Sequence, residues 1–129
     1  MTTPKTGAAK LRLKPDQAIY VINKPDRYEE LIGGLPSLAR VVDLAEEPPD
    51  AVHLFVRNRA ELETELPKAL AAVPDPARHP FWVCYPRKEA DPASDLDRGV
   101  VWRELVKHGW RPISGIAIDD TWSAMRGRP

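Results

Sequence analysis

The chain is short of the residues that most enzymes use for chemistry. It holds a single cysteine, Cys84, so no disulfide can form within it. Its three histidines, His53, His79 and His108, pair with no cysteine and with no second histidine at metal-ligand spacing, so no metal is expected. No apolar run approaches the roughly 20 residues of a membrane span, and no apolar signal core opens the chain. A cytoplasmic protein that does not enter the membrane is therefore expected. Neither sign of charge prevails, with 19 basic and 19 acidic residues, so no global field draws the chain to nucleic acid. Glycines number only seven, and none falls where a dinucleotide fold or a P-loop would need one. That argues against an oxidoreductase and against a P-loop nucleotidase.

Proline, by contrast, is plentiful at 14 residues, mostly between periodic segments, where it stiffens loops. With 129 residues the chain reads as one domain, residues 10–129, behind a polar tail of residues 1–9. Ala18 to Ile22 and Ala51 to Val56 are nearly continuous apolar runs that suit strands buried on both faces, and Ala39 to Leu44 and Phe81 to Tyr85 are the other two strand candidates of this part of the chain. Between them lie helical patterns. Asp26 with Glu29 is a capping-box arrangement for a short helix ending at Gly33-Gly34. Asn58 with Glu61 opens a longer helix to Val73, whose stripe is Leu62, Leu66, Leu70 and Val73, with a kink or break expected at Pro67. Ser94 or Asp95 is the expected cap of the last helix, with Val101, Trp102, Leu105 and Val106 facing inward and Gly109 closing it. Ile113 to Ile118 and Trp122 to Arg126 form a hairpin turned by Asp119-Asp120-Thr121.

Strands alternating with helices imply an α/β protein of three layers, with an open, mostly parallel, Rossmann-like sheet closed by a C-terminal antiparallel hairpin. A flavodoxin-like order is the alternative, and the terminal hairpin argues against it. The order resembles the S-adenosylmethionine-dependent methyltransferase fold, most closely from His53 to Pro129. There Leu66-Pro67-Lys68-Ala69-Leu70 feeds Phe81-Trp82-Val83-Cys84-Tyr85-Pro86, and His108-Gly109-Trp110-Arg111-Pro112 leads to Ile118-Asp119-Asp120-Thr121-Trp122-Ser123-Ala124. Those segments are also similar to a family of short bacterial proteins known chiefly as a domain of unknown function, a likeness that implies no activity. Methyltransferases of this fold carry a glycine-rich loop after the first strand. Here that stretch is Asn23-Lys24-Pro25-Asp26-Arg27, whose side chains oppose close approach of a cofactor. Asp43 falls where an acidic residue would meet a ribose, but a solvated turn carboxylate is the favoured reading of it. No cofactor is expected, and a degenerate methyltransferase stays open as an alternative.

Cys84 sits in an apolar strand and reads as a small hydrophobe rather than a nucleophile. His108, at a helix end, already complements the helix dipole. Trp82 and Trp102 suit the core; Trp110 and Trp122 lie near element ends, where partial exposure would suit an interface, but core or loop anchoring is the favoured reading. Ligands of open α/β sheets bind beyond the carboxyl ends of the parallel strands. There the chain places Lys24, Arg57, Arg59, Tyr85, Arg87, Lys88, Asp119 and Trp122, a candidate site for a small anionic metabolite or nucleotide. Loops on any such rim are polar, however, and the cations can pair with Asp95, Asp97, Asp119 or Asp120. No acid and base stand at a spacing that names a reaction. The leading expectation is a non-catalytic module that binds a protein partner or its own copy. Nucleic acid is not an expected partner, beyond nonspecific phosphate contact by residues 126–128.

Overall fold

The protein is described by a computed structural model over residues 5–44, 46–75 and 78–129. Six strands form one sheet in the order β2-β1-β3-β4-β6-β5. The parallel part comprises β1 (Ala18–Ile22), β2 (Arg40–Val41), β3 (Ala51–Phe55) and β4 (Phe81–Pro86). The antiparallel part is β6 (Trp122–Arg128) beside β4, with β5 (Arg111–Ala117) on the outer edge. β1 pairs with both β2 and β3, so chain order reverses between β1 and β3, the switch point of an open α/β sheet.

The side chains of β3 and β4 alternate between two cores, as a strand's period of two requires. Val52, Leu54, Phe81 and Val83 pack with α3 (Arg59–Ala72) and α4 (Arg98–Lys107) on one face. Phe55, Trp82 and Cys84 pack with α1 (Gly7–Lys10) and α2 (Tyr28–Leu31) on the other. Because helices cover both faces, these strands are apolar almost throughout, and the expected three-layer architecture is what the chain adopts.

Several local expectations give way. Gly7–Lys10, read as tail up to Ala9, is a helical turn docked on the sheet; the Ala8 amide donates to the Ile32 carbonyl at 2.7 Å and the Trp82 indole N–H to the Leu11 carbonyl at 3.1 Å. The remainder of that tail, residues 1–4, lies outside the described residues. Arg27, not Asp26, takes the cap position of α2, with no side-chain bond, because the helix begins one residue later than the Asp26–Glu29 box requires. β2 keeps only Arg40–Val41 of the expected six-residue strand.

α3 runs unbroken through Pro67, whose ring is on the solvent side, and Asn58 caps it as expected, accepting from the Glu61 amide at 2.8 Å. Leu62, Leu66 and Val73 of its stripe are buried, while Leu70 is half-buried and Ala69 takes the inner place. α4 is capped by Asp97, because Ser94 and Asp95 are used elsewhere: the Ser94 hydroxyl donates to the Arg57 carbonyl and Asp95 accepts from the Arg59 amide. Its inner face is then Val100, Val101, Glu104 and Leu105, and Trp102 and Val106, one residue further round the helix, are exposed. Trp110 and Trp122 are anchored in the core, the favoured reading of the two, against Phe81 and Phe55 respectively, and do not form an exposed interface.

Candidate functional site

The switch point lies between the carboxyl ends of β1 and β3. Asn23, just past β1, adopts a left-handed backbone (φ 58°) that an asparagine tolerates. Its side-chain amide donates to the Phe55 carbonyl at 3.1 Å, tying the end of β1 to the end of β3. Below that clasp, the Tyr28 ring is buried edge-on to Phe55 at 5.8 Å, and Phe55 meets Trp122 edge-on at 5.0 Å. The Tyr28 hydroxyl is hydrogen-bonded to His53 Nδ1 at 2.8 Å. Burial pushes the Tyr28 hydroxyl well up and lowers the His53 imidazole to about 3, so both are neutral at ordinary pH. In place of a glycine loop, the Asn23 side chain bridges the carboxyl ends of β1 and β3.

The eight rim residues fall into separate groups. Arg57 sits with its guanidinium 6.0 Å from the Trp122 ring. Asp119 and Trp122 line an open cleft of about 370 Å³ whose opposite wall carries the Arg27–Glu30 ion pair. The Asp119 carboxylate is already used, accepting from the amides of Thr121 and Trp122. Tyr85, Arg87 and Lys88 line a second hollow of about 320 Å³ facing Asp97 and Arg98. Arg87 donates to the Asp119 carbonyl at 3.2 Å and lies 3.7 Å from Glu89, and the Lys88 ammonium donates to the Ser94 carbonyl. Burial pushes the Tyr85 hydroxyl up. Lys24 borders a smaller hollow with Asp26, Glu29 and Glu30, and Arg59 turns outward to Glu63 at 3.3 Å. The rim therefore has cations on three hollows, most of them engaged by carbonyls or carboxylates, and no common focus.

The other candidates are equally plain in their settings. Cys84 is buried, and desolvation pushes its thiol up, away from the thiolate a nucleophile needs. Asp43 is exposed in the turn after β2, where its carbonyl accepts from Glu46 and Glu47. His108 caps α4 and lies 3.7 Å from Glu104. Among the described residues, no group of three His, Cys, Asp or Glu could hold a metal, and no helix is long and apolar enough to cross a membrane.

One cluster escapes the sequence reading. Arg12, Lys14, Arg78 and Arg126 converge with Gln17 on a pocket of about 330 Å³ at the opposite end of the sheet. The pattern Lys10-Leu11-Arg12-Leu13-Lys14 was a signal for it, but only the topology brings Arg78 and Arg126 alongside.

Sheet order, helices on both faces and the terminal hairpin together define a Rossmann-like α/β protein of methyltransferase-like fold. No family model matches the chain, and no curated protein matches its sequence. Solved structures match in shape. The tRNA methyltransferase TrmK of B. subtilis superposes with a TM-score of 0.52 at 11% identity, over 98% of this chain and 66% of its own. A protein of the NADB-Rossmann superfamily from Streptococcus agalactiae gives 0.52 at 7% identity, over 99% and 69%. A protein from Listeria monocytogenes serotype 4b gives 0.53 at 10% identity, over 99% and 68%. The chain spans about two thirds of the length of these structures, and at such identities the likeness is one of fold alone.

Proposed function

We infer that this chain is a non-catalytic module that keeps the methyltransferase-like frame without its cofactor chemistry, and works by association with a second copy of itself. What carries the reading is the contrast between the clasped switch point and the face beside β5. Trp102, Val106 and Ile113 are 43%, 53% and 43% exposed. Trp102 and Val106 share one stripe of α4, one turn apart, and Trp102 and Ile113 border the same small hollow. Arg98 lies 6.0 Å over the Trp102 ring, so the face offers the aromatic and arginine anchors that interfaces favour.

The neighbouring edge argues for a second copy as the occupant. β5 is the outermost strand and, among the described strands, pairs with β6 alone, with only its last carbonyl, Ala117, also accepting from the Lys10 ammonium at 2.8 Å; an open edge is a template for another strand. Pro112 and the irregularity between Pro112 and Ser114 blunt only its start, leaving Ser114 to Ala117 regular. A two-fold pairing of β5 with β5 continues the sheet and lays each Trp102 near the other copy's Ile113. The net charge of zero sets no repulsion against it.

Melting curves test both halves of the reading. The melting temperature is expected to rise with protein concentration, as linkage to self-association demands, and to ignore S-adenosylmethionine and S-adenosylhomocysteine. A concentration-independent melt that shifts saturably with those two compounds would instead restore the degenerate methyltransferase.

A further inference from the structure

We propose that the pocket at the amino ends of the parallel strands is a binding site for phosphate groups, on the far side of the sheet from the rim where ligands of this fold class are sought. Arg12 and Lys14 reach it from the segment before β1, Arg78 from the loop before β4, and Arg126 from β6. Four cations thus meet over about 330 Å³, enough for a phosphorylated group.

No carboxylate lines the pocket among the described residues, and none of the four cations forms an ion pair with a described acidic residue. Acidic residues on adjoining loops are committed elsewhere: Asp16 pairs with Arg40 at 3.3 Å, and Asp50 accepts from the Ala18 amide at 2.8 Å. The Asp75 carbonyl accepts from the amides of Arg78 and His79, and Asp75 is not part of the lining. This differs from the carboxyl-end rim, where Arg59, Arg87 and Lys88 are engaged by carbonyls or carboxylates of the chain itself.

Holding like charges together is unfavourable unless something offsets it. The field is felt at Arg126, which partial burial, then Arg12 and Arg128, push toward easier deprotonation. A phosphate relieves that repulsion and suits the flat, forked arginine donors. Gln17 adds its NH2 donors, since its carbonyl oxygen already accepts from the Lys14 amide at 2.8 Å. Leu13 and Pro80 supply the apolar part of the pocket's lining.

Beyond the pocket, Arg128 stands opposite Arg111 in the β5–β6 ladder, so the basic surface extends past the reach of one phosphate. A diphosphate or the backbone of a nucleic acid offers the same group, and the two sources separate by experiment. Inorganic pyrophosphate and a fluorescein-labelled single-stranded oligonucleotide are each titrated against the wild type, Arg126→Gln, Arg78→Gln and the rim control Arg57→Gln, with circular dichroism verifying the fold. Pyrophosphate binding at low salt is expected, weakened about tenfold or more in Arg126→Gln and Arg78→Gln and unchanged in Arg57→Gln. Oligonucleotide binding that pyrophosphate displaces, with a salt slope reduced by about one per arginine removed, assigns the backbone as the source. Pyrophosphate binding without oligonucleotide binding assigns a small phosphorylated ligand. Absence of binding by the wild type to both probes overturns the proposal, as does binding that survives both pocket substitutions.

Discussion

The Tyr28 hydroxyl and His53 Nδ1 lie 2.8 Å apart inside the core that α1 and α2 form against the sheet. This bond joins the short helix after β1 to the middle of β3, beneath the switch point. It is also the only described partner of the imidazole, because His53 Nε2 is buried with none. A buried polar ring held by a single bond makes that bond costly to lose.

Replacing Tyr28 with phenylalanine leaves both ring nitrogens of His53 unpaired at nearly constant volume. Urea unfolding of Tyr28→Phe is expected to show a loss of about 1–3 kcal/mol. A loss within error of zero would mean that the buried imidazole is satisfied in another way.

His53 also gives stability a pH dependence. Burial lowers its folded value from 6.5 to about 3, so below 6.5 the unfolded chain takes up a proton that the folded chain does not. The contribution is complete above the unfolded value and declines as pH falls from there toward about 3, with a limiting slope of roughly 1.4 kcal/mol per pH unit. The double variant Tyr28→Phe/His53→Leu removes this component while other acid-sensitive groups remain. Urea midpoints between pH 7 and pH 4 are expected to fall more steeply for the wild type. Parallel curves would place the imidazole in contact with solvent.

Gly7 tests the docking of the N-terminal segment. A Cβ built there meets Ile118 Cγ2 and the Ile32 Cα at 2.8 Å, and one of those atoms is backbone. Gly7→Ala is expected to destabilise the fold by about 1–3 kcal/mol through overpacking. A neutral result would return the segment to the status of a tail.

Strand positions were legible because burial on both faces leaves a nearly unbroken apolar run, as in Ala51 to Val56. Cap residues were less so. Ser94, Asp95 and Asp97 are all competent caps, and only tertiary contacts of Ser94 with Arg57 and of Asp95 with Arg59 select Asp97. That displacement turned Trp102 from a core residue into a surface one. The carboxyl-end rim followed from topology alone, but whether its cations converge depends on carbonyl and carboxylate partners from other loops. The basic pocket was hidden because Arg12, Arg78 and Arg126 are far apart in the chain and meet only where strands begin. Pro67 shows the opposite lesson: on the solvent side of α3 the proline is accommodated without ending the helix.

Sedimentation velocity over a concentration series is the most direct test of association through the α4–β5 face. The wild type is expected to form a dimer by high micromolar concentration, and Trp102→Glu, at a site already 43% exposed, is expected to stay folded and monomeric. A wild type that remains strictly monomeric, or a dimer that Trp102→Glu leaves intact, would contradict the account.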